Sequence, residues 1–488
     1  MTFESLRQRA ALGGALVTLM ALSACMVGPE YRKPDTASPA GWKTTPEAGA
    51  QGAVGERWWE VYNDPILSSL EDQAEFASPQ IAAAIARVTQ ARAIARITDA
   101  DLYPSVSVDP TIDRTRQSGN RPIQPGSPVV PYAANRFRVP LDVSYEVDAW
   151  GKIRRASESA TAQAQAVANA YGTVRITLHA DVAQAYFAIR SLDSEYEILR
   201  RTIDYQKQGT EIIRARFRGG ASSELDVVRA DAEVATNEAE LVSVERRRAE
   251  LENALAVLVG KMPADFSVPP LPLDIRPPSI PVGLPSELLQ RRPDVAQAER
   301  LLAARNAEIG VAQAAYFPTI RLTAGFGFES SDLSDFIKTD SAIWTLAAGL
   351  SQPIFDGGRI KGNVDRAKAA YEENLAVYRQ QVLVAFQEVE TALSGLRLLA
   401  QQADAQSRAV TNSERASEIA TSRYRAGLVF FLDVLDAERT TLSNRRAATQ
   451  TQAAQLITSV GLIKALGGGW DPNDQTAGIS AAATPKAN

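Results

Sequence analysis

The amino-acid sequence predicts a mainly α-helical, internally duplicated chain in which long antiparallel helical hairpins are joined to four strands of β-barrel type. Three observations predict it: a repeat at constant spacing, two long stretches without proline, and four segments of alternating polarity.

The N-terminus comes first. Arg7 and Arg9 precede an apolar run from Ala10 to Leu22, followed by Leu22-Ser23-Ala24-Cys25. The run is too short to span a bilayer and has the layout of a secretory signal peptide at residues 1–24. Leu-Ser-Ala-Cys resembles a bacterial lipobox, in which cleavage leaves Cys25 lipid-modified, and Cys25 is the only cysteine. Met26 follows, not the aspartate associated with inner-membrane retention, which points to the outer membrane. No later segment has the roughly 18 uncharged apolar residues of a membrane-spanning helix.

A repeat organises the rest of the chain. RFRGGASSELDVVRAD (216–231) aligns with RYRAGLVFFLDVLDAE (423–438), pairing Arg216 with Arg423 at an offset of 207 residues. The same offset pairs Gly151-Lys152-Ile153-Arg154 with Gly358-Arg359-Ile360-Lys361, and Leu258-Val259-Gly260 with Ala465-Leu466-Gly467. Upstream, Leu102-Tyr103-Pro104 matches Tyr316-Phe317-Pro318, with a loop seven residues longer in the first copy.

In each copy a helix (about 79–101 and 294–315) runs into an aromatic-proline pair, and two strands come next. Then proline is absent from Pro140 to Pro263, and again from Pro353 to Pro472. That absence, with abundant Ala, Gln, Glu and Arg, predicts long helices. Val167, Tyr171, Val174, Leu178 and Val182 step by three and four, as do Tyr371, Leu375, Tyr378, Val382 and Ala385. These are coiled-coil seams. A helix from Gly151 to Arg218 would be about 100 Å long at 1.5 Å per residue. Gly219-Gly220 and Gly427 allow the rods to turn back. Ser223-Glu224-Leu225-Asp226 has the spacing of a capping box for the returning helix.

The strands fall at about 102–113, 137–148, 319–329 and 343–353. Phe137, Val139, Leu141, Val143, Tyr145 and Val147 share one face, while Arg138, Asp142, Ser144, Glu146 and Asp148 share the other. Segments of about ten residues that are apolar on one side and polar on the other suit a transmembrane barrel, with lipid outside and a watery lumen inside. Four strands cannot close a barrel, so the edges must be shared between chains. Tyr103, Trp150, Phe317 and Trp344 lie near strand ends, where an aromatic girdle belongs.

Cys-Met-Val-Gly-Pro-Glu-Tyr-Arg-Lys-Pro (25–34), Leu-Pro-Ser-Glu-Leu-Leu-Gln-Arg-Arg-Pro-Asp-Val (284–295) and Ala-Ala-Tyr-Phe-Pro-Thr-Ile (314–320) resemble the hallmark segments of the outer membrane factors. These are TolC-like efflux channels, here of the lipoprotein type often called NodT-like. The resemblance implies a homotrimer with a twelve-stranded barrel in the outer membrane and a periplasmic α-helical tunnel. It also implies a periplasmic adaptor, an inner-membrane pump of the resistance–nodulation–division class, and export of small toxic solutes. The expected divisions are a signal peptide at 1–24, a lipidated segment at 25–65, an efflux repeat at 66–262, a linker and equatorial segment at 263–292, a second repeat at 293–470, and a disordered tail at 471–488.

Candidate site residues emerge from this organisation. Asp433 and Asp436 are three apart on one helix face, and the constriction aspartates of the family that the chain resembles align with them, which implies two stacked carboxylate rings at a periplasmic gate of the trimer. Acids near a helix N-terminus also complement its dipole, which is the plainer reading of Asp226. A hydrogen bond between Tyr424 and Asp226 is expected as a latch between neighbouring turns. The turns Gly219-Gly220-Ala221-Ser222 and Ala426-Gly427-Leu428-Val429 are the expected adaptor-docking tips. Leu428 to Phe431 serve either docking or internal packing. Arg138, Asp142 and Glu146 are expected to face the lumen, where acids outnumber bases and favour cations mildly. The loop 114–136 carries Arg114, Arg116, Arg121 and Arg136, either against anionic lipid heads or in solvent.

Several function classes are excluded. A net charge of −5 without a basic stripe argues against nucleic acid. With a single cysteine and a single histidine, no disulfide framework or Cys/His metal site is expected, and His179 reads as packed within its helix. Beyond the lipid on Cys25 no cofactor is expected. No nucleophile–base set or phosphate loop points to an enzyme. A type I protein-secretion channel is the alternative within channels, and an envelope-bracing lipoprotein the alternative outside them.

Overall fold

The computed structural model describes residues 26–44, 55–116, 118, 133–283 and 285–471. The signal peptide, Cys25, Arg121 and the tail beyond Asp471 lie outside the described residues. The chain forms two compact units, one of residues 1–34, 89–166 and 298–378, the other of residues 35–88, 167–297 and 379–488.

The element order is α1 (Pro65–Ala77), α2 (Pro79–Ala100), β1 (Ser105–Val108), β2 (Thr111–Arg116), β3 (Ala133–Val147), α3 (Lys152–Arg218), α4 (Glu224–Leu258), α5 (Pro285–Arg291), α6 (Pro293–Ala314), β4 (Thr319–Ser330), β5 (Ala342–Ser351), α7 (Arg359–Arg425) and α8 (Phe431–Ala465). The duplication is metrical: α3 and α7 both have 67 residues, and α4 and α8 both have 35. Each pair starts at the same 207-residue offset, from Lys152 to Arg359 and from Glu224 to Phe431. Among the described residues, no helix is long and apolar enough to cross a membrane.

The first unit holds the sheet. Its order is β1/β2–β3–β4–β5, antiparallel throughout. The strand expected at 102–113 is interrupted between Val108 and Thr111, opposite Val139-Pro140. The cause is local: neither Pro110 nor Pro140 has an N–H to give to the ladder, so pairing lapses and resumes in the same register. Helices of this unit meet on alanine, with Ala95 against Ala160 and Ala164, and Ala162 against Ala303 and Ala304.

The second unit has the larger core. Trp58, Trp59, Tyr62 and Leu67 pack against Leu178, Val182, Tyr186 and Phe187 of α3, with Leu255 of α4 and Leu456, Val460 and Ile463 of α8. Further along, Leu192 and Leu199 meet Val244 and Leu442. Charged side chains stitch the two hairpins together: Arg446 of α8 donates to Glu195 of α3 and, at 2.6 Å, to Glu240 of α4.

His179 is packed, as expected, but its partners are acidic. Its Nδ1 lies 2.7 Å from Glu71 and its Nε2 lies 2.8 Å from Glu75, and Trp59 covers the ring at 4.5 Å. Burial pushes the Glu71 carboxyl up to about 7 despite the histidine. Burial also opposes charge on His179, yet its bonds to Glu71 and Glu75 hold it above the ordinary imidazole value. For Glu75, hydrogen bonds from His179 and Arg175 outweigh burial and hold the carboxyl low.

These shifts carry a sign. A group whose pKa is raised by folding stabilises the fold below its unfolded pKa and loses that contribution as pH rises through the folded value. For Glu71 the window runs from about 4.5 to about 7, and for His179 it lies above 6.5. The purified protein should therefore melt at lower temperature at pH 8 than at pH 5.5. Glu71→Gln should flatten that slope, and an unchanged slope in thermal unfolding would refute the assignment.

Candidate functional site: barrel strands, anchor segment and hairpin tips

In the first unit, register sorts the sheet into two faces. Across β3 and β4, Val139 pairs with Phe328, Leu141 with Phe326, Val143 with Ala324 and Tyr145 with Leu322. Across β4 and β5, Phe326 pairs with Trp344 and Ile320 with Leu350. This face is uncovered among the described residues, with Trp344 78% and Leu350 71% exposed. A continuous apolar face on an antiparallel sheet needs an apolar neighbour, and lipid supplies one.

Arg138, Asp142 and Glu146 share the other face. Arg138 stands opposite Glu329, 3.7 Å apart, and Glu146 stands opposite Arg321 and binds Lys152 at 2.9 Å. Asp142 opposes Gly325, where a Cβ would come within 2.8 Å of its Oδ1. Glycine thus makes room for the carboxylate. Most of the acids in this region have basic neighbours, since Asp113 pairs with Arg136 and Asp148 with Arg154. The excess of negative charge is correspondingly smaller than the sequence count implied.

The residues after Cys25 dock beside the end of β3. Val27 N–H donates to Trp150 O at 3.0 Å, and Gly151 leaves space for Met26, which a Cβ there would meet at 2.7 Å. Gly28 lies so near Gly310 that a Cβ would come within 2.5 Å of its Cα. Arg155, only 1% exposed, donates to Glu30 and Glu158 at 2.6 Å each. Asn306 donates to Pro29 O at 2.8 Å, and Tyr31 donates to Glu299 at 2.6 Å. Trp150 stacks on Phe317 at 4.9 Å and donates to Pro318 O at 2.8 Å. The chain therefore leaves Met26 toward Cys25 beside two of the expected girdle aromatics. Nothing in the spacing of the sequence marked Arg155 as the clamp.

In the second unit the two hairpin turns share one geometry. Ala221 N–H donates to Arg216 O at 2.8 Å and Gly220 N–H to Phe217 O at 2.9 Å; Leu428 and Gly427 donate to Arg423 and Tyr424 at 2.9 Å each. This is the Schellman stop, with Gly220 and Gly427 at φ +73° and +76°. The repeat then diverges. Ser223 caps α4, and Asp226 returns the bond to Ser223 N–H at 3.2 Å, completing the expected box. The equivalent of Ser223 is Phe430, which has no side-chain acceptor, so only Asp433 closes the second cap, accepting from Phe430 N–H at 3.0 Å. Asp436, exposed one turn on, replaces Arg229 of the first copy. Asp433 is exposed as well. The two carboxylates thus stand together on one side of α8, and Asp433 also has the dipole-capping task.

The expected Tyr424–Asp226 latch is corrected. Asp226 is occupied by Ser222 at 3.1 Å and Ser223 at 2.8 Å. Tyr424 is instead a ring contact: Arg216 lies over it at 4.8 Å and Phe431 packs against it at 5.7 Å. The apolar run at the second turn splits between its two expected fates. Phe431 joins Ile213, Ala230, Val434 and Leu435 in the tip core, while Leu428 and Phe430 are 68% and 84% exposed.

The geometry agrees with comparison to known proteins. The family model described as outer membrane efflux protein matches residues 70–261 and 284–468, one match for each copy of the repeat. The chain belongs to the outer membrane efflux protein family. It is 34% identical over 463 residues to the pyoverdine export outer membrane protein OpmQ of Pseudomonas aeruginosa, covering 93% of this chain and 96% of that one. It is also 34% identical to the toluene efflux pump outer membrane protein TtgI of Pseudomonas putida, covering 93% and 97%. The solved outer-membrane channel OprN superposes with a TM-score of 0.85 at 32% identity, covering 91% of this chain and all of that one. The protein is therefore an outer-membrane efflux channel that extends into the periplasm, a transport protein and not an enzyme. Channels of this family work with adaptors and inner-membrane pumps.

Arg216 over Tyr424 predicts how the tip is held. A cation over an aromatic ring contributes about 1 kcal/mol, roughly five-fold in a local opening equilibrium. Arg216→Ala should speed proteolytic nicking of the turns by about that factor. Tyr424→Phe, which keeps the ring, should leave the rate unchanged, whereas a latch through its hydroxyl would make the two variants alike.

Proposed function

We propose that the protein works as a homotrimer in which three four-stranded sheets close one twelve-stranded barrel, continued by a periplasmic tunnel of helical hairpins. Lipid on Cys25 anchors each chain in the outer membrane. The turns at 219–222 and 426–429 receive the adaptor, with exposed Leu428 and Phe430 as its apolar contacts. The inner-membrane partner is a pump of the resistance–nodulation–division class. The cargo is a small organic solute, in keeping with pyoverdine and toluene in the names of relatives.

The observation that carries this reading is the in-register apolar face of the sheet, uncovered among the described residues. The docking of Met26 and Val27 beside Trp150 supports the anchor at Cys25. Exposed Asp433 and Asp436 support the gate, because three-fold symmetry would gather six carboxylates about one axis. Such rings hold cations and, unneutralised, repel one another across a narrow pore.

Current through single channels in a planar bilayer tests the gate. Wild-type protein should pass small currents, and Asp433→Ala/Asp436→Ala should pass currents several-fold larger. Equal, well-formed currents in both would place the constriction elsewhere. No current in either, from folded trimers, would leave only an envelope-bracing role.

A further inference from the structure

Near the hairpin turns, α3, α4, α7 and α8 leave a partly enclosed cavity of about 130 Å³ with a wall from each helix. An apolar cavity of about 150 Å³ holds one benzene, so the space fits a single ring. The rings of Tyr205, Tyr424 and Phe431 line it, together with Ile213 and Leu435.

Its charged groups cancel in number, so what matters is which of them already has a partner. Four charged side chains line it: Arg216, Glu233, Arg425 and Glu438. Glu233 is taken by Arg439, which donates to it at 2.8 Å, and Arg216 is committed to the Tyr424 ring and to Tyr424 O at 3.4 Å. Glu438 has no ion-pair partner among the described residues. It receives only the amide of Gln206, whose own oxygen accepts from Asn237 at 2.9 Å. The repeat sharpens this, because the equivalent of Glu438 is Asp231, which Arg214 binds at 2.6 Å. The first copy supplies its acid with a cation; the second leaves its acid facing a cavity. Burial, with Glu233 nearby, pushes the Glu438 carboxyl up to about 7. Thr421 Oγ1 also lies buried at this cavity without a hydrogen-bond partner.

We propose that the cavity binds a single-ring aromatic amine, its ring among Tyr205, Tyr424 and Phe431 and its ammonium against Glu438, with Thr421 Oγ1 as a second acceptor. Aromatic faces and a carboxylate both favour a cation over a neutral ring. An anion would meet Glu438 and Glu233; of the two arginines in the lining, Arg216 is engaged at Tyr424 and Arg425 is an exposed residue at the rim. Because the amine keeps its charge while Glu438 loses its proton, binding tightens as pH rises from 6 to 8.

Benzylamine is the probe, titrated by calorimetry into the purified full-length protein in detergent. Glu438→Gln keeps the shape and removes the charge; circular dichroism checks its fold. Wild type should bind saturably at pH 8, at least ten-fold more tightly than Glu438→Gln, and the gain between pH 6 and 8 should vanish in the variant. Toluene, uncharged, should bind wild type more weakly and be indifferent to the substitution. Ala230→Phe, which fills the space, should abolish binding of both. Equal benzylamine affinity in wild type and Glu438→Gln, or binding indifferent to Ala230→Phe as from the micelle alone, would overturn the proposal.

Discussion

The constraint on which everything else depends is the need to pair every backbone N–H and C=O that enters lipid. Hydrocarbon offers no hydrogen bonds, so a sheet can cross it only as a closed barrel. This chain supplies four strand positions, leaving the outer edge of β1/β2 and the outer edge of β5 unpaired among the described residues. The strand directions already permit closure. β1 runs antiparallel to β3, β3 to β4 and β4 to β5. In the proposed trimer a β5 edge would meet the β1/β2 edge of a neighbour in the same antiparallel sense as every other pair. Under the proposed trimer, a polar lumen, a lipid-facing exterior and a subunit contact all arise from the one requirement.

The duplication supplies the second theme. Helices of equal length, turned by the same glycine-centred stop, give each chain two nearly equivalent hairpins. The proposed roles fall where the copies part. Ser223 becomes Phe430, Arg229 becomes Asp436, and the paired Asp231 becomes the unpaired Glu438. Each change moves the second hairpin toward exposed apolar surface and uncompensated acid, as an adaptor contact, a gate and a cation-binding cavity would require. The first hairpin remains the more conventionally satisfied of the two, with a complete capping box at Ser223 and Asp226.

Much of this was legible in the sequence because its cause is local or periodic. Long helices come from the absence of proline, turns from Gly220 and Gly427, the cap from Ser223 and Asp226, and the faces of the sheet from alternation. The break at Asp109-Pro110 was in principle visible too, but its severity depends on Pro140 lying opposite, which only register reveals. The remaining features join residues far apart in the chain. His179 meets Glu71 across 108 positions, and Arg216 meets Tyr424 across 208. No spacing rule marks such pairs. The only clue was that Arg216 recurs as Arg423 in the repeat. The latch assigned to Tyr424 is a different case, because the capping box read at Ser223 and Asp226 already occupies that carboxylate.

The shared-edge account is tested most directly by covalent capture. Ser107 of β1 and Thr345 of β5 lie in one row across the polar face, through Asp142 and Gly325. Ser107→Cys would be combined in turn with Thr345→Cys, Ala347→Cys and Gly349→Cys to allow for stagger between chains, then oxidised in native membranes. The account predicts that at least one pair yields a ladder of covalent dimers and trimers on a non-reducing gel, absent in every single variant. Monomer alone from all three pairs, in protein that is folded and in the membrane, would contradict it.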